Sequence, residues 1–206
     1  TNINANAYTA NWGLTLAQWN LLPPGTSYIS VRAYDGAGLY ADLPDAFYVL
    51  KDTVTPSITD NQAGETSWRK TDPGAIYLVD FADTEDGSGL AAVEYSASVT
   101  AGSGNAGALA WTALPGLTAG ATYYNGPWAL NFAGLPSGAT SYISVRARDL
   151  AGNTATLVDA FRVLKNDSGP EVRFTAPNAG FHSALAAVAG TAAPVLEYAI
   201  SGTEIT

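Results

Sequence analysis

An internal repeat constrains this chain more than any other feature of its sequence. Thr26-Ser27-Tyr28-Ile29-Ser30-Val31-Arg32-Ala33 recurs as Thr140-Ser141-Tyr142-Ile143-Ser144-Val145-Arg146-Ala147, an offset of 114 residues that holds without a gap as far as Pro56 and Pro170. Twenty of the 31 paired positions are identical, among them Asp35/Asp149, Gly38/Gly152, Phe47/Phe161 and Lys51/Lys165. Upstream, Trp12-x-Leu14-x-Leu16 parallels Trp128-x-Leu130-x-Phe132, and each is followed by a Leu-Pro turn. Spacing there differs by a few residues, as hairpin loops commonly allow. Self-similarity on this scale means that one supersecondary plan is written more than once.

The phase of the repeat sets the organisation. If a unit begins after the Val-Leu-Lys run, the 206 residues divide as 1–52, 53–166 and 167–206. Only the middle piece is a whole repeat. The first resembles the last part of a unit. The third runs from Gly169-Pro170 to Leu196-Glu197-Tyr198-Ala199-Ile200 and reads like the first part of one.

Alternation of apolar and polar residues predicts strands. Tyr77, Val79 and Phe81 share one face, opposite Leu78 and Asp80. Val93, Tyr95 and Ala97 alternate with Glu94, Ser96 and Ser98. Ile143, Val145 and Ala147 alternate with Ser144, Arg146 and Arg148, and Phe161 and Val163 with Arg162. Turn clusters separate these runs: Asp86-Gly87-Ser88-Gly89, Pro136-Ser137-Gly138 and Asp149-Leu150-Ala151-Gly152-Asn153. No segment carries a convincing helical period, and Leu185 to Ala189 reads as strand because Gly190 and a β pattern flank it. The expected fold class is all-β, with about seven short strands in the middle unit, the rhythm of an immunoglobulin-like antiparallel sandwich.

The shared run Thr-Ser-Tyr-Ile-Ser-Val-Arg-Ala-x-Asp-x-Ala-Gly, completed by Asn153 in its second copy, resembles bacterial Ig-like and fibronectin type III-like repeats. Asp83 to Leu90, followed by Val93-Glu94-Tyr95, is similar to the B–C corner of those repeats. The resemblance implies tandem sandwiches in a large secreted or cell-surface protein. On it, 1–52 supplies strands E to G of one domain, 53–166 is a complete domain, and 167–206 supplies strands A to C of another. Strand parity places Ser27 and Ser141 on the buried side and turns Tyr28 and Tyr142 outward, which departs from the family's corner tyrosine.

Composition excludes much chemistry. There is no Cys, no Met and a single His, against nine basic and eighteen acidic residues. Disulfides, thiolate metal sites and thiol catalysis are thereby excluded. A net charge of −9 leaves no basic footprint for nucleic acid. No apolar run approaches the length of a membrane span, and no signal peptide is visible at Thr1. The missing Met reads as a processed product or an internal segment of something longer.

Candidate sites are few. His182 reads as an edge or surface histidine rather than a catalytic one. Asp80, Asp83, Glu85 and Asp86 crowd one Gly-rich turn and read as a solvated corner, with glycoside hydrolysis as the sharper alternative. The same carboxylates could ligate calcium if Asp149 and Asn153 met them at one end of the fold, although their spacing is not that of an EF-hand. Gly102-Ser103-Gly104 lacks the Lys and helix of a phosphate loop and reads as a hairpin loop. Trp68, Trp111, Tyr123 and Tyr124 flank loops where sugars stack, but aromatic residues in sheets mostly serve packing. Asn166-Asp167-Ser168 fits a glycosylation sequon. No catalytic, cofactor-binding or metal residue is assigned, and no cofactor is expected.

The expected function is structural or adhesive, at the cell surface or outside the cell. The partner is self: adjacent repeats, or head-to-tail copies that complete each other's partial domains in a filament or stalk. Surface glycans are a second candidate partner, and a carbohydrate-binding accessory module of a secreted enzyme is the alternative function.

Overall fold

The computed structural model describes residues 7–62, 66–104, 107, 109–171, 173–176 and 189–191, with side chains described only through residue 171. Its elements follow the repeat. A short helix α1 (Leu16–Leu21) precedes a hairpin of β1 (Gly25–Tyr34) and β2 (Tyr40–Lys51). The middle unit holds β3 (Ser57–Asp60), β4 (Trp68–Arg69), β5 (Val79–Ala82), β6 (Leu90–Ser98), β7 (Leu109–Ala113), β8 (Tyr123–Tyr124), β9 (Ala139–Asp149) and β10 (Thr154–Lys165). Beyond it β11 (Arg173–Ala176) pairs antiparallel with β12 (Ala189–Thr191). The protein is all-β, as the alternation predicts. No helix among the described residues is long and apolar enough to cross a membrane.

The middle unit places two sheets over one core. One has the order β3-β5-β8, the other β4-β10-β9-β6-β7, and every pairing is antiparallel except that of β4 with β10. Val79 and Phe81 come from the first sheet and Val93, Tyr95, Ile143, Val145, Phe161 and Val163 from the second; all are buried. Trp128, Leu130, Phe132 and Leu135 close the same core from the connection between β8 and β9. Burying such side chains contributes roughly 1.5–3 kcal/mol each, which explains why the inward parity of each strand is so apolar.

Two expectations need correction. Ser96 and Ser98 alternate with the core residues of β6, as a polar face would, yet both are fully buried. The β6–β7 connection folds back over that face: Ser96 Oγ donates to Gly104 O at 3.3 Å, and Ser98 Oγ accepts from Thr100 N at 3.0 Å. A Cβ on Gly107 would lie 2.5 Å from Ser98 Cα, so only glycine lets the backbone approach this closely. The second correction is α1. Periodicity cannot reveal a helix of six residues, but a capping box can: Thr15 Oγ accepts from Gln18 N, and Gln18 Oε1 accepts from Thr15 N.

The repeat extends to backbone detail. Both long hairpins carry a bulge, and at each the same position has a positive φ, 49° at Asp45 and 53° at Asp159. Ser30 Oγ accepts from Asp45 N at 3.1 Å, and Ser144 Oγ accepts from Asp159 N at 3.0 Å. A left-handed Asp is tolerated where a local hydrogen bond supports it. Lys51 Nζ donates to Leu22 O at 2.7 Å, as Lys165 Nζ does to Leu135 O at 2.9 Å. One plan is therefore built twice.

Candidate functional site: the open hairpin face and the acidic junction

The two copies differ in what covers them. In the middle unit Ile143, Val145 and Val163 are 0% exposed, because β3, β5 and the 128–135 connection lie over them. Their counterparts Ile29, Val31 and Val49 on β1–β2 are only half-buried. Trp128 and Phe161 meet with ring centroids 5.8 Å apart at 58°, and Trp12 and Phe47 meet at 5.8 Å and 56°. The geometry is the same, yet Trp128 is 3% exposed and Trp12 53%. Trp128 has two further neighbours, Tyr77 at 5.7 Å and Tyr95 at 5.6 Å. Trp12 has no ring partner besides Phe47 among the described residues.

Around Trp12 the uncovered face forms an open groove of about 800 Å³ lined by Leu14, Leu16, Trp19, Phe47 and Val49. Leu43 (61% exposed) extends the apolar surface along β2. An apolar patch of this kind on a monomer marks an interaction surface or an aggregation hazard. The opposite face carries two cross-strand tyrosine pairs, Tyr28–Tyr48 at 6.3 Å and Tyr34–Tyr40 at 5.7 Å. Between them Arg32 pairs with Asp42 at 2.5 Å and lies 4.3 Å over the Tyr40 ring.

At the end where the hairpin joins the middle unit, three carboxylates converge. Asp52, Asp83 and Asp149 bring ligand oxygens within 4.8 Å of one another. The first comes from the linker, the second from the corner after β5, the third from the end of β9. All six of their oxygens accept N–H donors. Val54 N and Ser88 N serve Asp52, Thr84 N and Gly89 N serve Asp83, and the backbone N and side-chain Nδ2 of Asn153 serve Asp149. Partial burial pushes the Asp52 carboxyl upward, but the hydrogen bonds from Val54 and Ser88 outweigh it and hold the group below the usual carboxylate range. Asn153 Nδ2 also reaches Asp52 O at 3.3 Å. The arrangement stitches linker and unit together, and its carboxylate oxygens are engaged by N–H groups rather than gathered as the six to eight oxygens that calcium takes.

Of the corner acids expected together, only Asp83 joins Asp149. Asp80 instead accepts from Asn61 Nδ2 at 2.7 Å, while Glu85 and Asp86 lie on the exposed turn. Asn153 is at the junction, as a donor. Asp52, next to the repeated Lys51, was not foreseen, since nothing in a linker sequence says which loop it will meet. The aromatic candidates are dispersed. Trp68 on β4 and Trp111 on β7 lie at opposite edges of the five-stranded sheet, and Tyr123 and Tyr124 on the other sheet. Arg146 stacks over Trp111 at 4.4 Å, and Tyr124 packs on Phe81 and donates to Pro115 O. Gly102 N donates to Asp159 Oδ2 at 2.6 Å, so that loop buttresses a bulge. Asn166 is exposed. His182 and Leu185 to Val188 lie outside the described residues.

No protein family model matches the sequence, and no curated protein matches it either.

Proposed function

We propose that the chain is a structural or adhesive repeat protein of the cell exterior. In this reading immunoglobulin-like sandwiches are joined in series, and the open hairpin is an unfinished sandwich that a neighbouring unit completes. One observation carries the reading: Trp12–Phe47 reproduces the geometry of the buried Trp128–Phe161 pair and stands in solvent. Residues that fill a core in one copy are thus laid out for a core in the other.

The strand order supports the fold part of the proposal. β3, β5 and β8 correspond to strands A, B and E of such a sandwich, and β7, β6, β9 and β10 to C′, C, F and G. Short linkers bonded into the unit they enter, as at Asp52, suit a stiff array. The low charged fraction of 13% and the absence of thiols suit an exposed surface structure. Enzyme function is not proposed, because the chain has no Cys and one His from which to build a nucleophile–base pair.

Negative-stain microscopy of the concentrated full chain tests the reading. Threads or rods of units in series are the expected result, and separate single particles at every concentration would refute it. A second reading, a carbohydrate-binding module, is favoured by the exposed Tyr28–Tyr48 and Tyr34–Tyr40 pairs, since exposed aromatic rings offer apolar faces to sugar rings. A glycan array without binding would remove it.

A further inference from the structure

We infer that the outer face of the β1–β2 hairpin is a binding site for a neutral, extended oligosaccharide. Tyr28, Tyr48, Tyr34 and Tyr40 supply its stacking rings, and the Arg32–Asp42 pair supplies its contacts to hydroxyl groups. The inference rests on the carbohydrate-binding reading, which an adhesive repeat and an accessory module share, and gives that reading a site and a ligand class.

Strand parity separates this face from the apolar groove. Tyr28 with Tyr48, Arg32 with Asp42 and Tyr34 with Tyr40 are cross-strand pairs on the side opposite Val31 and Leu43. The middle unit shows what becomes of that side when a sandwich is complete. Arg148, Thr154, Thr156 and Arg162 are the counterparts of Tyr34, Tyr40, Asp42 and Tyr48. All four are exposed, although Val145 and Val163 on the other side of the same strands are fully buried. The outer face therefore stays in solvent whatever lies over the groove. Its rings are also dispensable to the fold, since arginine or threonine stands at three of the four equivalent positions. Tyrosine, with an apolar ring and a polar tip, is enriched at surfaces that bind.

The chemistry of these residues selects the ligand. Each ring is more than half exposed, and offers an apolar face to the C–H face of a sugar ring while its hydroxyl is free to hydrogen-bond. Between the two pairs Asp42 holds Arg32 by both carboxylate oxygens: Nε donates to Oδ1 at 2.5 Å and Nη2 to Oδ2 at 2.9 Å. Arg32 Nη1 donates to the Tyr34 hydroxyl at 3.4 Å, and the guanidinium lies 4.3 Å over the Tyr40 ring. The guanidinium is thereby fixed with N–H groups to spare among the described residues, and each Asp42 oxygen keeps a lone pair. A donor and an acceptor side by side suit hydroxyl groups, which accept from one and donate to the other. The two charges cancel, so the pair offers an acidic ligand no net positive charge. From Tyr28 to Tyr34 the strand rise sets the two tyrosine pairs about 20 Å apart. The ligand is thus a chain of sugar rings laid along the strands, not a single sugar. The middle unit lacks this set: Arg146 pairs with Glu94 and lies over Trp111, and Thr156 stands in place of Asp42.

The test uses the full chain and a printed array of neutral cello-, xylo- and manno-oligosaccharides beside sialylated, sulfated and uronic-acid glycans. Binding to the longer neutral members and not to the acidic ones is the expected result. Tyr34→Arg and Tyr48→Arg place on the hairpin the residues that the folded middle unit carries as Arg148 and Arg162. Each is expected to weaken binding about tenfold, and the two together to abolish it, with the far-UV spectrum unchanged. Tyr48→Phe keeps the ring and should keep the binding. Neutral-glycan binding that survives the double change would overturn the site while leaving the carbohydrate-binding reading in place. Equal binding of acidic glycans would overturn the ligand class. An array with no binding at all would overturn the inference and the carbohydrate-binding reading together; loss of association between copies in the double variant would then assign the face to contacts of the chain with itself.

Discussion

Phe47 and Phe161 occupy the same position of the repeat, so truncating each to alanine measures what covering the sheet is worth. Phe161 is 6% exposed, stacked on Tyr77 at 5.0 Å and tilted against Trp128 at 5.8 Å. Removing a buried phenylalanine ring costs about 3–5 kcal/mol through lost transfer energy and the cavity left behind. In a unit of this size that is a fall in melting midpoint of roughly 10–20 °C. Phe47 is 40% exposed and its principal ring partner is Trp12, so Phe47→Ala in dilute protein should cost about 1 kcal/mol. Among the described residues the hairpin has no second layer to leave a cavity in. Differential scanning calorimetry at low micromolar concentration measures both. As concentration rises, the cost at Phe47 should climb toward that at Phe161, because the completed sandwich encloses both rings alike. Equal costs in dilute protein, or a cost at Phe47 that ignores concentration, would refute the reasoning.

Other outcomes follow from the same geometry. Lys165→Met should destabilise the middle unit by about 1–3 kcal/mol in urea melts, since it strips the donor from Leu135 O and Ala133 O in a buried corner. Asp83→Ala should cost a similar amount by orphaning the Gly89 and Thr84 amides, and Asp83→Asn less, because the amide oxygen still accepts. Asp52 and Asp167 have carboxyls held below the ordinary range, Asp167 through the Ser137 hydroxyl and then Lys165. Their stabilisation is thus present above the unfolded carboxylate pKa and lost as pH falls through the folded one; melts from pH 5 to pH 2 should show this, and Asp52→Asn should flatten part of the slope. Because all six oxygens of Asp52, Asp83 and Asp149 already accept N–H groups, the melting midpoint should not change between millimolar calcium and chelator; a rise of several degrees in calcium would assign the cluster to a cation.

The sequence carried the repeat, the strand parities and the buried positions of β5, β9 and β10, because period-two alternation and identical runs are local signals. It also placed Ser141 inside and Tyr142 nearer solvent, as found. It could not say that Ser96 and Ser98 are covered, since the covering strand connection is a tertiary event that serine and glycine merely permit. Nor could it reveal that Asp52 meets Asp83 and Asp149, which come from separate loops brought to one end of the fold. The open face around Trp12 was written in the same residues that build the core around Trp128. Exposure depends on what lies above a sheet, and alternation records only which way a side chain points.

Hydrogen–deuterium exchange across a concentration series tests most directly whether the hairpin is half of a sandwich finished by another chain. Amides of β9–β10 report a covered sheet, and those of β1–β2 an uncovered one, within the same molecule. The account predicts that protection of residues 25–51 rises with protein concentration toward the constant value of residues 139–165. Protection of 25–51 that stays low and unchanged from micromolar to millimolar protein would contradict it.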